Sequence, residues 1–299
     1  MAKINLGVHL NFLTTRYNNP SEWMKIVAKE FKLKKVQFVS DLIEPGHDIK
    51  TIEKQIKDVN FYKKKYKIEI DHSISSSRHN YFGHYDKNVR KNWLDWFKKF
   101  LSISKKIGCK GAGSMLGILT FEDLKNNYNK QLDVIVENWI ELSNYGKSIG
   151  LEYLFWEPMS IKREFGDTII DTKKLITILN KKSKIPILLN LDVDHGNHFT
   201  KNKNDRNPYS WLKEFIHLSP CVHIKQKTKD IYTHKPFIKK YNKIGIIKPR
   251  RIIDIISKNK KIDEVTLYFE FGFRERDPYD NNAIKDIKES IQYWNKFLN

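Results

Sequence analysis

Eight short apolar segments of strand length alternate with eight amphipathic helical segments along the 299 residues. Strict alternation predicts an α/β fold with parallel strands and right-handed crossovers. Eight such units predict closure into a single (β/α)8 TIM barrel spanning residues 1–299. A further observation gives that barrel a working end. The apolar run Ile185–Leu191 stops abruptly at Asp192, Asp194 and His195, as a buried strand does when it carries polar groups to one edge of a sheet. In parallel sheets that edge is where ligands bind.

The elements follow in order. Lys3–Phe12 alternates and is predicted as the first strand. Ser21 is placed to cap a helix through Phe31, with Glu22 in its first turn. Val36–Val39 is the second strand, ending at Ser40 and Asp41, and Asp48–Lys64 has helical spacing of Ile and Phe. Ile68–Ile74 is the third strand and carries Asp71 and His72. Asp86–Lys106 is a long amphipathic helix whose buried stripe is marked by Trp93, Trp96, Phe97 and Phe100. Gly108–Gly117 is a glycine-rich fourth strand and loop. Phe121–Ile149 is helical, with Val134, Val136, Trp139, Ile140 and Leu142 on its apolar side. Leu151–Trp156 is the fifth strand, ending at Glu157, and Thr172–Lys182 a helix. Ile185–Leu191 is the sixth strand, followed by a helix over Pro208–Ile216. Cys221–Lys225 is the seventh strand, followed by a helix over Ile247–Ser257. Val265–Phe271 is the eighth strand, and a helix over Asn281–Leu298 completes the alternation.

Composition narrows the setting. No Ser/Gly/Pro-rich linker, charge block or short internal repeat divides the sequence. The apolar runs fall far short of the ~20 residues of a membrane span, so no membrane partner is expected. Met1–Val8 reads directly as strand and lacks a signal-peptide pattern. The two cysteines, Cys109 and Cys221, have neither metal-binding nor disulfide spacing, and a reducing, cytoplasmic location is expected. A net charge of +20 could mark a polyanion-binding surface. Lys far outnumbers Arg, however, and is spread along helix segments such as Tyr62–Lys67, Lys98–Lys106 and Lys181–Lys184, where it would face solvent. The charge is therefore read as compositional, and nucleic acid is not an expected partner. Self-association into a homo-oligomer is compatible with the sequence.

The chemistry is expected at the carboxyl ends of the last four strands. These carry Glu157, Asp192, His223 and Glu270, which converge on one mouth if the barrel closes. Two Glu, one Asp and one His make a hard, mostly oxygen-donor set, suited to Mn²⁺, Mg²⁺ or Co²⁺ and tolerant of Zn²⁺. A lone strand-end Glu is ordinarily a solvated turn residue; four such groups on successive strands are harder to obtain by chance. Asp192 is taken as the ligand and His195 as a substrate contact, with Asp194 orienting His195 or stabilising the turn. Lys225 lies two residues after His223, on the same side of a strand, and could meet a substrate oxyanion. Arg274 could clamp a phosphate bidentately, or pair with Glu275 or Asp277. His72 is expected to face the mouth, with a buried, hydrogen-bonded role as the alternative. Phe155 and Trp156 could wall a small pocket or belong to the core.

So placed, the residues resemble those of the xylose-isomerase-like TIM-barrel superfamily of sugar isomerases and epimerases. The shared pieces are Glu157 in Trp-Glu-Pro-Met, Asp192-Val-Asp-His195, His223 in Val-His-Ile-Lys-Gln, and Glu270 in Tyr-Phe-Glu-Phe-Gly-Phe-Arg-Glu. Gly7-Val-His-Leu-Asn-Phe, Val36-Gln-Phe-Val-Ser-Asp-Leu and Gly245-Ile-Ile-Lys-Pro are similar to the branch of erythrulose-phosphate epimerases and isomerases. The resemblance covers essentially the full length. It implies one divalent metal, Mn²⁺ foremost, held by Glu157, Asp192, His223 and Glu270, with the two glutamates doubling as acid and base. Relatives often carry a His in the glycine-rich fourth loop; here Met115 stands near that position.

The expected reaction is proton abstraction beside a ketose carbonyl, through an enediolate. Glu157 and Glu270 form the acid/base pair because their strands lie on different sides of the mouth. Return of the proton to the opposite face epimerises a carbon; return to the former carbonyl carbon gives aldose–ketose isomerisation. A small ketose or ketose phosphate, erythrulose phosphate foremost, is the expected partner. An aldose–ketose isomerase of another sugar is the alternative. An apurinic-site endonuclease would suit the charge, but needs about three zinc ions and more histidines than the loops offer. A barrel that only binds a sugar or a protein would have no use for four retained ligand types.

Overall fold

The computed structural model describes residues 2–75, 79–228, 234–272 and 280–298. Its strands are β1 (Lys3–His9), β2 (Lys35–Val39), β3 (Glu69–Ile74), β4 (Gly111–Met115), β5 (Tyr153–Glu157), β6 (Ile187–Asp192), β7 (Cys221–Ile224) and β8 (Glu264–Phe269). All neighbours pair in parallel, and β1 meets β8 to close the barrel in chain order. The expected (β/α)8 architecture is thus the observed one. Between and after the strands run α1 (Pro20–Lys25), α2 (Ile49–Tyr66), α3 (Lys87–Lys106), α4 (Tyr128–Ser148), α5 (Ile169–Asn180), α6 (Pro208–Phe215), α7 (Lys239–Ile244), α8 (Pro249–Lys258) and α9 (Ala283–Leu298).

Several boundaries differ from expectation for local reasons. β1 stops at His9 because Leu10–Leu13 turns into a 3₁₀ segment, with the His9 side chain accepting from the Asn11 N–H. Asn19, not Ser21, caps α1: Pro20 takes the first helical position, and the Asn19 side chain accepts from the Ser21 N–H at 2.9 Å. The rest of that helix continues as a π turn over Ile26–Glu30. Short α7, with three lysines in six residues and no buried side chain, has no apolar stripe to announce it.

The core has two parts. Outside the barrel, strand residues such as Leu154, Leu189 and Leu267 pack under Trp139, Leu212 and Trp294 of the helices. On α3, Trp93, Phe97 and Phe100 are buried as expected, whereas Trp96 is half-buried and donates to Glu44 Oε1 at 2.6 Å. Inside the barrel the filling is unusually polar. Gly7 and Gly111 leave room for the rings of Tyr268 and Tyr153; a Cβ at Gly7 would lie 2.6 Å from Tyr268, and one at Gly111 2.1 Å from Tyr153. The two phenol hydroxyls lie 2.8 Å from Nδ1 and Nε2 of His72, respectively. Lysines of the Tyr62–Lys67, Lys98–Lys106 and Lys181–Lys184 stretches are exposed or half-exposed.

Candidate active site

Strands β5 to β8 each deliver one group to the mouth. Glu157 ends β5, Asp192 ends β6, His223 lies in β7, and Glu270 directly follows β8. Parallel pairing sets Asp192 level with His223, so the four side chains arrive at one height. His223 Nδ1 is 3.0 Å from Glu157 Oε1, 3.2 Å from Glu270 Oε2 and 3.8 Å from Asp192 Oδ2. One donor atom from each of the four lies within 4.8 Å of all the others. Asp192 is aimed by its own turn: the Asp194 N–H holds its Oδ1 at 2.7 Å, leaving Oδ2 toward the site.

These groups lean on one another electrostatically. Burial opposes a charged imidazole at His223, but Glu270 and Glu157 override it and hold the pKa well above the ordinary histidine value. Burial alone would raise the carboxyl pKa of Asp192; His195 and Lys225 reverse this and hold it well below the usual range. At Glu270 burial is likewise outweighed, by Lys225 and His223, and the carboxyl is held down. The result is a buried knot of carboxylates matched by two cationic groups.

Lys225 shares the His223 face, as expected, but its ammonium does not stand open to a ligand. The fully buried Nζ bonds Asp192 Oδ2 at 2.5 Å and also donates to Glu270 Oε2. Burial pushes its pKa down, and those two carboxylates push it up further still, so it stays charged. His195 does reach the mouth. Its Nδ1 is 3.0 Å from the Pro158 carbonyl oxygen and 3.5 Å from Glu157 Oε1, and its Nε2 is 3.6 Å from Asp192 Oδ2. Asp194 does not orient His195. It faces Lys227 Nζ at 3.3 Å and His234 Nδ1 at 3.4 Å, tying the chain after β7 to the end of β6. A second set of donor atoms, from Asp192, His195 and His234, also lies within 4.8 Å.

His72 is a correction. It sits among the inner tyrosines and lines a cavity of about 480 Å³ at the amino end of the barrel, with Asp71, Glu152 and Pro220. Burial pushes its pKa down to about 4, as suits a neutral hydrogen-bonded ring. Phe155 and Trp156 are both fully buried, as core residues are. Arg274 lies outside the described residues.

The mouth itself encloses about 200 Å³. It is lined by Glu157, His195, His223 and Glu270, by His9, Asn11 and Ser75, and by the apolar side chains of Ile74, Met115 and Met159. One lining residue, His9, and one residue beneath the mouth, Gln37, carried no role in the sequence analysis. His9 ends β1 against His223, ring centroids 4.9 Å apart, and burial pushes its pKa down to about 4. Its signal was available, since it too is a polar residue ending an alternating strand. Gln37 Oε1 lies 2.5 Å from His223 Nε2. It occupies an ordinary alternate position in Val-Gln-Phe-Val and gives no local signal.

No family model matches the chain. It is 31% identical over 296 residues to the D-erythrulose 1-phosphate 3-epimerase of Brucella abortus (strain 2308), spanning 97% of this chain and 95% of that protein. Its fold is similar to that of a Rhodospirillum rubrum protein assigned to the xylose isomerases, at TM-score 0.87 and 21% identity over 98% of this chain and 99% of that one. It is also similar to the D-psicose 3-epimerase of Clostridium cellulolyticum H10, at TM-score 0.72 and 12% identity over 98% and 99%. The structural likenesses establish the fold, and the sequence likeness over nearly the whole of both chains establishes kinship. The chain belongs to the xylose-isomerase-like family of sugar epimerases and isomerases, and is an enzyme of the isomerase type.

Proposed function

We propose that this enzyme is a divalent-metal-dependent epimerase of a small ketose phosphate, with erythrulose phosphate as the first candidate. The observation that carries the reading is the convergence of Glu157, Asp192, His223 and Glu270 on one point of the mouth. The donor chemistry fits a metal. Three carboxylates and an imidazole each bring one donor atom to within 4.8 Å of the others, so a single ion could take the place of the imidazole proton as the second positive centre beside Lys225. An oxygen-rich set with one nitrogen suits Mn²⁺ best, and Mg²⁺, Co²⁺ or Zn²⁺ also. Once bound, such an ion would act as a Lewis acid on adjacent substrate oxygens.

The chain's own residues supply the proton chemistry. Glu157 comes from β5 and Glu270 from β8, so the two carboxylates approach a carbon in the mouth from different sides. One removes the proton beside the carbonyl and the other returns it on the opposite face, inverting that carbon. His195 stands at the rim as a substrate contact, and Arg274, four residues after Glu270 in the sequence, is proposed to meet the phosphate. The apolar side chains of Ile74, Met115 and Met159, which also line the mouth, would limit water beside the reacting carbon. A cavity of about 200 Å³ favours a short sugar, and the Brucella abortus relative is named for erythrulose 1-phosphate.

We read residues 1–299 as one catalytic domain working in the cytoplasm, where the free thiols Cys109 and Cys221 would stay reduced. No described helix is long and apolar enough to cross a membrane. The test is an NMR assay in deuterated water with Mn²⁺, across ketoses and ketose phosphates. Metal-dependent deuterium entry with formation of the epimer supports the reading. An aldose product would make the enzyme an aldose–ketose isomerase, and exchange unaffected by chelation would refute the metal role.

A further inference from the structure

We propose that Gln37 is a positioning residue that holds His223 as the Nε2–H tautomer and so commits Nδ1 to the cation. This rests on the metal-centred reading above. The two nitrogens of the fully buried imidazole face opposite ways. Nδ1 looks into the carboxylate cluster, 3.0 Å from Glu157 Oε1 and 3.2 Å from Glu270 Oε2. Nε2 looks down the barrel axis, 2.5 Å from Gln37 Oε1.

A glutamine amide can present either its oxygen or its nitrogen, so what fixes Gln37 decides the tautomer. Its Nε2 donates to Asn190 Oδ1 at 3.1 Å. Asn190 Oδ1 also accepts the Cys221 thiol proton at 2.9 Å. With the Asn190 oxygen committed as acceptor, Gln37 must turn its amide nitrogen to Asn190 and its carbonyl to His223. A carbonyl only accepts, so the facing ring nitrogen carries the proton. The opposite tautomer would set two lone pairs against each other at Gln37 and aim an N–H at the cation. The Asn190 amide nitrogen, 3.2 Å from both ring nitrogens, favours neither. Gln37, Asn190, Cys221 and His223 are all fully buried, so no solvent is at hand to replace a lost partner. Three polar residues with no part in moving the substrate proton thus have a common task, the orientation of one metal ligand.

The test uses full-length protein labelled with ¹⁵N-histidine and loaded with Zn²⁺, which is diamagnetic, together with calorimetric titration of Mn²⁺. The zinc-loaded protein should show the His223 proton on Nε2. Gln37→Leu, which deletes the acceptor, should weaken Mn²⁺ binding about 10–100-fold. Gln37→Glu, which keeps an acceptor, should bind within a few-fold of the parent. A proton on Nδ1, or a Gln37→Leu variant that binds Mn²⁺ as tightly as the parent, overturns the assignment. Should Gln37→Leu not fold, Gln37→Met, which also lacks the carbonyl acceptor but follows the glutamine stem more closely, takes its place in the Mn²⁺ titration. A parent protein that binds no divalent ion removes the metal reading and this inference together, whereas parent binding with an indifferent Gln37→Leu removes only the role of Gln37.

Discussion

Replacing Lys225 with methionine separates charge from packing at the mouth. Methionine matches the length of the lysine stem and leaves the buried position filled, but removes the ammonium that bonds Asp192 and Glu270. Both bonds lie in a site where Lys225 and Asp192 are sealed from water and Glu270 is largely so. Removing one partner of a buried ion pair costs about 3–5 kcal/mol, because the charge left behind is uncompensated. For a chain of this size that corresponds to a fall in Tm of roughly 5–8 °C. Mn²⁺ should return much of the loss, since a divalent ion would satisfy the stranded carboxylates. The assay is thermal melting in EDTA and in saturating Mn²⁺, for the parent and Lys225→Met. The variant should melt lower in EDTA and gain more from Mn²⁺ than the parent does. Equal melting in EDTA, or equal gains from Mn²⁺, would refute the view that Lys225 neutralises the site before the metal arrives.

Single Glu157→Gln and Glu270→Gln variants should each lose about 10²–10⁴-fold in turnover of the epimerised ketose; near-parent kcat in both would remove the acid/base pair. At His72, whose pKa is pushed from 6.5 to about 4 by burial, the unfolded chain takes up a proton between those values and the folded one does not. Stability should therefore fall by about 3 kcal/mol as pH drops from 6.5 toward 4. Denaturant titrations of His72→Gln should show a shallower fall over the same window; an identical pH profile would contradict the buried neutral ring. Gly113→Ala would place a Cβ 1.7 Å from the Phe155 carbonyl oxygen, a backbone atom that cannot step aside. It should cost at least about 3 kcal/mol or prevent folding, and a variant melting with the parent would show that β4 and β5 do not approach so closely.

The barrel was legible because it is written in period and repetition: apolar strands and amphipathic helices alternate whatever their individual residues. Glu157, Asp192, His223 and Glu270 were legible for a related reason, since each interrupts an apolar strand at its carboxyl end. His72 was not, because a histidine within a strand does not declare its height in the barrel. The irregular pairing between Lys35 and Gln37 sets it level with Gln37 and Gly111, below the mouth. Lys225 was placed on the correct face, but the sequence could not show that two carboxylates from other strands had already claimed its charge. Gln37 was hidden for the same reason. Its role arises from Asn190, Cys221 and His223, between 153 and 186 residues away along the chain.

The thioether and isoleucine side chains that share the mouth with the carboxylates bear on which stereoisomers it could admit. Ile74, Met115 and Met159 offer little to a hydroxyl, and stranding one against them costs about 1–3 kcal/mol. A ketose lying with its hydrogen-bearing face on those three side chains escapes that cost. A diastereomer with one hydroxyl turned the wrong way would bear it in full, an affinity lower by roughly 5- to 150-fold. On the proposed reading, sugars identical in formula would thereby be sorted by side chains that form no polar bond with any of them.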